Sequence, residues 1–145
     1  MKELSVEHPE LENEIIATVE SGNELEKEFR YEEALTCYRK AWSLLPESKL
    51  SWEIASWIAS SSFGAYFAMG QFESAKTWGE ISLQTRSSDI DTGPLIDLGM
   101  VCFELEQYDE ACRYFDEAYG YGKKRAFKER PKKYLDYYLG RRNSG

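Results

Sequence analysis

One histidine, three cysteines and 26 acidic residues are the side chains from which an active site could be assembled in this chain. His8 stands alone, in nine N-terminal residues that read as a frayed end, with Pro9 near the start of the first helix. A lone imidazole with no thiol or hydroxyl partner at motif spacing makes neither a nucleophile–base pair nor a metal site. Cys37, Cys102 and Cys112 are too few and too scattered for a disulfide framework or a zinc site. Cys102 and Cys112 fall on successive predicted helices, where thiols pack as small hydrophobes. No glycine-rich loop follows a strand pattern, so no phosphate cradle is expected. Acidic pairs are abundant, as they must be at this density, and read as solvated helix faces. The expectation is a chain that is no enzyme and carries no cofactor and no metal.

Composition narrows the class of protein. The 145 residues are 42% hydrophobic and 14% aromatic, enough for one domain with a real core. The net charge of −8 argues against a nucleic-acid binder, whose footprint would be basic. No apolar run approaches the roughly 20 residues that span a bilayer, and no secretory signal pattern opens the chain. The expected setting is cytoplasmic and reduced.

The elements that position these residues come from a repeat. Three segments share one pattern: Phe29-Arg30-Tyr31-Glu32-Glu33-Ala34, Met69-Gly70-Gln71-Phe72-Glu73-Ser74-Ala75 and Leu105-Glu106-Gln107-Tyr108-Asp109-Glu110-Ala111. Each alanine is followed by an aromatic at three or four residues (Tyr38, Trp78, Tyr114 and Phe115) and by a small residue at seven (Ala41, Ser82, Ala118). Those spacings share one helix face. Each segment is preceded by a second helical stripe. Ile15, Ile16, Val19, Gly22, Leu25 and Phe29 form the first; Ile54, Ile58, Phe63, Tyr66 and Phe67 the second; Leu95, Leu98, Gly99, Cys102 and Leu105 the third. Gly70 suits the turn inside the second pair, and Pro46 ends the first. Strand signals are weak throughout.

This pattern resembles the tetratricopeptide repeat (TPR) over about residues 10–120. Gly22, Tyr31, Ala34, Tyr38, Ala41 and Pro46 fit well, as do Leu95, Leu98, Gly99, Tyr108, Ala111, Phe115 and Ala118. In the second repeat Tyr66, Gly70, Phe72 and Ala75 fit, whereas Gly79 and Ser82 fit poorly. The resemblance implies an all-α fold of three TPR-like helix-turn-helix pairs in a right-handed superhelical array, closed by a C-terminal capping helix. The expected domain is single, 1–145, with repeats at about 10–46, 49–86 and 92–120 and a cap at about 122–142. Pro131 would stand in the first turn of the capping helix, carrying Tyr134, Leu135, Tyr138 and Leu139.

Repeat spacing is uneven. The motif alanines lie 41 and 36 residues apart, against about 34 in the family. An excess of seven residues is about two helical turns. It predicts one long helix from Lys49 to Met69, the alternative being a longer loop before the helix. The second excess falls on a loop through Ser87-Ser88-Asp89 and Thr92-Gly93-Pro94.

In the family, ligands bind the inner face formed by the first helix of each pair. Carried over by counting, that face holds Ile16, Val19, Asn23, Glu26 and Lys27 in repeat one. It holds Trp57, Ser60, Ser61, Gly64, Phe67 and Ala68 in repeat two, and Gly93, Ile96, Asp97, Met100, Phe103 and Glu104 in repeat three. Family members that grip acidic chaperone tails use a clamp of lysines, asparagines and an arginine. Asn23 matches one clamp position. Val19, Gly93 and Asp97 stand where cations are needed, so that ligand is rejected. The expected partner groove is apolar with acidic edges, formed by Val19, Asn23, Trp57, Ser60, Phe67, Ile96, Asp97, Met100 and Phe103. Trp57, Phe67, Met100 and Phe103 are its expected anchors.

A second resemblance concerns the partner. Leu45-Pro46-Glu47-Ser48-Lys49, Trp52 to Ile58, Gly64-Ala65-Tyr66-Phe67, Leu98 to Leu105, Phe127-Lys128-Glu129 and Pro131 to Tyr138 look like a group of small bacterial TPR proteins encoded beside polymorphic, Rhs-type toxins. It implies a protein partner, with no nucleic acid and no membrane, and an immunity protein that neutralises a toxin. The alternative is a scaffold or secretion chaperone that shields an apolar segment. Tyr137 and Tyr138 could also join two copies into a homodimer. Charge is sharply divided along the chain: residues 1–122 hold 24 acidic and 9 basic residues, and residues 123–145 hold 2 acidic and 9 basic. The basic end is expected to salt-bridge to the acidic body, or else to form a second contact surface.

Overall fold

A computed structural model of the protein describes residues 2–144. The chain divides into two compact units, Met1–Ser87 and Ser88–Gly145, each described by itself.

The first unit opens with a short helix α1 (Leu4–Glu7). Two helix pairs follow: α2 (Pro9–Lys27) with α3 (Tyr31–Leu44), and α4 (Ala55–Ala68) with α5 (Phe72–Thr85). Each pair is an antiparallel hairpin of neighbours in sequence, and α4 also packs on α3 and α2. α4 is apolar or small on nearly every face, as befits a helix flanked on several sides. The core joins Leu4, Ile15, Val19, Leu35, Tyr38, Leu45, Trp52 and Ile58. The second unit holds the third pair, α6 (Gly93–Glu104) with α7 (Tyr108–Gly122). A 3₁₀ turn (Lys123–Phe127) leads to the final helix α8 (Lys132–Ser144). Pro131 stands one residue ahead of α8 and accepts a backbone bond from Tyr134. The three helix pairs and the terminal helix are those the repeat pattern predicts. The three cysteines are thiols, with Cys102 fully buried in α6 and Cys37 half-buried in α3.

Glycines at two positions set how closely paired helices approach. Gly22 and Gly99 lie twelve residues ahead of the motif alanines Ala34 and Ala111. A Cβ on Gly22 would come within 2.5 Å of the Tyr38 ring, and one on Gly99 would overlap the Phe115 ring. In the second pair the sizes are exchanged. Phe63 occupies the place of the glycine, and Gly79 occupies the place of the ring; both are buried.

The turns inside the three pairs are built alike. Phe29 (φ 64), Gly70 (φ 73) and Glu106 (φ 61) are left-handed. Their N–H groups donate to the carbonyls of Glu26, Phe67 and Phe103. The next N–H groups, of Arg30, Gln71 and Gln107, donate to Leu25, Tyr66 and Cys102. This is the Schellman geometry, in which a non-glycine residue costs about 1–2 kcal/mol. Phe29 is also 77% exposed, so its ring gains little from burial. Phe29→Gly is expected to stabilise the first unit by about 0.5–1 kcal/mol, after allowing for the greater unfolded-chain entropy of glycine. Denaturant unfolding measures this. A lower midpoint would mean that the Phe29–Tyr31 ring contact, at 6.3 Å, outweighs the backbone cost.

Two expectations are corrected. Residues 49–69 do not form one helix. Lys49–Ser51 is a 3₁₀ turn, Trp52 is extended, and α4 starts at Ala55. The backbone groups there find other partners: Lys2 N–H donates to Ser51 O at 2.9 Å, and Glu53 N–H donates to Lys2 O at 2.8 Å. Trp52 is 2% exposed, and its indole N–H donates to Pro46 O at 3.0 Å. The Lys49 ammonium caps α3 by donating to the carbonyls of Trp42 and Leu45. Residues 2–8 are also not frayed. Leu4 is 1% exposed, the Lys2 ammonium lies over the Trp52 ring, and His8 meets that ring edge-on at 6.0 Å.

Candidate functional site

Within the first unit, α2 and α4 present Asn23, Glu26, Lys27, Ser60 and Ser61 around one open recess of about 480 Å³. The helical period explains the set. Positions 23, 26 and 27 share one face of α2, and 60, 61 and 64 share one face of α4. Tyr38, from α3, closes the floor. Its phenol oxygen donates to Oδ1 of Asn23 at 2.7 Å and to Oε1 of Glu26 at 2.8 Å, and it also bonds the Ser61 hydroxyl. One phenol proton serves one acceptor at a time. With the Asn23 amide turned over, its N–H donates to the phenol while the phenol donates to Glu26. The hydroxyls of Ser60 and Ser82 share a 2.8 Å bond at the rim. Lys27, also on the lining, is paired with Glu24 at 2.9 Å. Burial raises the Glu26 carboxyl above its ordinary pKa, and the Tyr38 hydrogen bond pulls it partly back. Burial and the Glu26 carboxylate push the Tyr38 phenol upward.

The remaining groove residues of the first unit are packing residues. Val19 is fully buried in the core, so its assignment to a partner surface is corrected. Trp57 is half-buried against that core. Phe67 is held between the rings of Phe63 at 5.5 Å and Phe72 at 5.3 Å.

In the second unit the chain's own C-terminal segment takes the inner positions. Ile96 is 0% exposed and Met100 is 6% exposed, so neither offers surface to a ligand, and both assignments are corrected. Phe103 is ringed by Tyr108 at 5.5 Å, Tyr134 at 5.5 Å and Tyr137 at 4.9 Å. It anchors the final helix. Asp97 is paired with Arg130 at 3.0 Å, and Glu104 with Lys133 at 3.2 Å. Arg141 reaches Asp109. The basic end therefore salt-bridges to acidic residues of the third pair, as the charge division suggests. Lys123 lies over the Tyr119 ring, and Lys124 and Arg125 stay exposed.

Asp97 gives a test by pH. Burial lifts its carboxyl from 3.8 to about 6, against the charge and hydrogen bond of Arg130, which lower it; nearby Asp91 adds to the rise. Between those values the folded state binds more protons than the unfolded state. Asp97 therefore contributes its full stability below the unfolded value and loses it as pH rises through the folded value. Asp97→Asn keeps an acceptor for Arg130 and removes the titration. Expected is a wild-type stability that falls relative to Asp97→Asn between pH 3.8 and about 6. Urea midpoints across that window measure it, and parallel curves would refute it.

With this geometry in view, one helix pair matches a known family. Residues 94–121 match the tetratricopeptide repeat. No curated protein matches the chain. The TPR match covers α6 and α7, the third pair. By the same alanine, aromatic and turn positions the first two pairs are TPR-like. The recess lies on the first helices of those two pairs. Among the described residues, no cluster of three or more His, Cys, Asp or Glu side chains is arranged to hold a metal, and no helix is long and apolar enough to cross a membrane.

Sequence reasoning placed Asn23, Glu26, Lys27, Ser60 and Ser61 on one face, and the structure brings them together. It missed Tyr38 as a contributor to the recess. The signal was there: a buried tyrosine needs a partner for its hydroxyl. Asn23 and Glu26 stand one helical turn apart, where α3 packs.

Proposed function

We propose that this chain is a non-enzymatic, protein-binding module of TPR type, and that it acts in the cytoplasm as an immunity protein that neutralises a cognate bacterial toxin domain by binding it. The observation that carries the binding role is the recess on α2 and α4. Its residues lie open, whereas the inner face of the third pair is taken by the chain's own C-terminal segment. The toxin reading is supported by charge and by the resemblance to proteins encoded beside toxins. Residues 1–122 hold 24 acidic against 9 basic residues, which would steer association with a basic partner such as a nuclease domain.

A chaperone for apolar segments has less support, because Val19, Ile96 and Met100 are buried and Phe103 is covered. The test is co-expression with the toxic product of the adjacent gene. Rescue of growth with a stable 1:1 complex is the expected result. A non-toxic neighbour, or a toxin that neither binds nor is inhibited, would overturn the immunity role.

A further inference from the structure

Glu26 is the odd group in the recess. Its Oε1 accepts from Tyr38, which fixes the side chain. Its Oε2 faces Gly64, where a Cβ would stand only 3.2 Å away; the absence of a side chain there leaves that oxygen open. No cation pairs with Glu26 among the described residues. Lys27, the nearest in sequence and itself on the lining, is engaged by Glu24. A partly desolvated carboxylate without a counter-ion is costly, and the cost is relieved when a cation arrives. Of the other lining groups, Asn23, Ser60 and Ser61 can present oxygen acceptors to a planar donor, and the ammonium of Lys27 is neutralised by Glu24.

We infer that the recess between α2 and α4 receives an arginine side chain of the partner, its guanidinium set against Oε2 of Glu26 and the oxygens of Asn23, Ser60 and Ser61. A guanidinium offers five donors in a rigid fork, more than an ammonium can bring to this arc of acceptors. The inference rests on the protein-binding reading above and names what the partner's surface must present. Gly64 then has a purpose that helix formation does not supply. In mid-helix, glycine is worse than alanine by about 0.5–1 kcal/mol, yet only glycine leaves the carboxylate open.

The test uses the full chain and two capped tripeptides, Gly-Arg-Gly and its neutral analogue with citrulline in place of arginine. Amide NMR shifts are followed at roughly physiological ionic strength, where exposed acidic residues are largely screened. The arginine peptide should shift Asn23, Glu26, Ser60, Ser61 and Gly64 saturably, and the citrulline peptide should not. Glu26→Gln keeps the Tyr38 bond and should weaken binding about tenfold, the loss of one charge-assisted contact of roughly 1.4 kcal/mol. Gly64→Ala should match that loss while melting no lower than wild type. Glu32→Gln, exposed on α3 and away from the recess, should change nothing. Equal shifts from both peptides, or undiminished binding by folded Glu26→Gln, would overturn the inference. The two readings separate with a toxin partner. A complex that forms equally well with Glu26→Gln and Gly64→Ala sinks the arginine site and leaves the immunity role. Arginine binding at the recess without any toxin complex does the reverse.

Discussion

Gly99→Ala should lower the stability of the second unit by about 2 kcal/mol in urea unfolding, one of the largest effects expected from a single methyl group here. The added Cβ would overlap Cδ1, Cε1 and Cζ of Phe115. That ring cannot step aside. It is 0% exposed and is packed by Phe127 at 5.3 Å, Tyr134 at 6.2 Å and Tyr138 at 6.3 Å. The gain in helix propensity on leaving glycine, about 1 kcal/mol at most, only reduces the loss. Gly120→Ala supplies the opposite sign in the same unit. Nothing lies within 4 Å of a Cβ at Gly120 in α7, so that change should stabilise by about 0.5–1 kcal/mol. If both substitutions stabilise, the helices of the third pair do not approach as closely as Gly99 requires.

Trp52→Ala should cost about 3 kcal/mol or more and release the N-terminal residues. The indole is 2% exposed in the core of the first unit, and it is also what the N-terminal segment rests on. Lys2 bridges to Trp52 and lies over its ring, and His8 meets it edge-on. Limited proteolysis of residues 2–8 should therefore accelerate together with the drop in unfolding midpoint. Trp52→Phe keeps most of the volume and loses the hydrogen bond to Pro46 O. It should cost about 1 kcal/mol, apart from the smaller ring, and leave the N-terminal residues protected. A Trp52→Ala protein with an unchanged N-terminal cleavage rate would show that α1 is held without the indole.

The helix pairs were legible because their determinants are local. An alanine, an aromatic three or four residues on and a short break just ahead of them recur three times, and spacing alone reports them. Gly79 looked like a poor fit for the second repeat only when single positions were compared. Set beside Phe63, it is the same large–small pairing with the sizes exchanged between helices. What local spacing could not report is a partner distant in sequence. Seven extra residues before α4 matched two helical turns, but their backbone groups pair with Lys2, and Trp52 takes a place in the core. The same holds for the site. Counting put Val19, Ile96 and Met100 on the inner face, yet one helical step of about 100° separates face from core, and neighbouring helices decide which side a residue falls. Asp97 and Phe103 are on the counted face but are covered by Arg130, Tyr134 and Tyr137. The charge division hinted at that cover without giving its register. Asn23 and Ser60 were legible because polar side chains on an inner face have no core in which to hide.

The cysteine thiols give each unit its own chemical clock. Cys102 is sealed inside α6 of the second unit, and Cys37 is partly shielded on α3 of the first. With Cys112 replaced by serine, an alkylating reagent reaches Cys102 only when the second unit opens. The rate of its consumption then counts those openings, and the rate at Cys37 follows exposure in the first unit. Two mass peaks from one sample would reveal whether the units breathe together or separately, with no residue of the Glu26 recess disturbed.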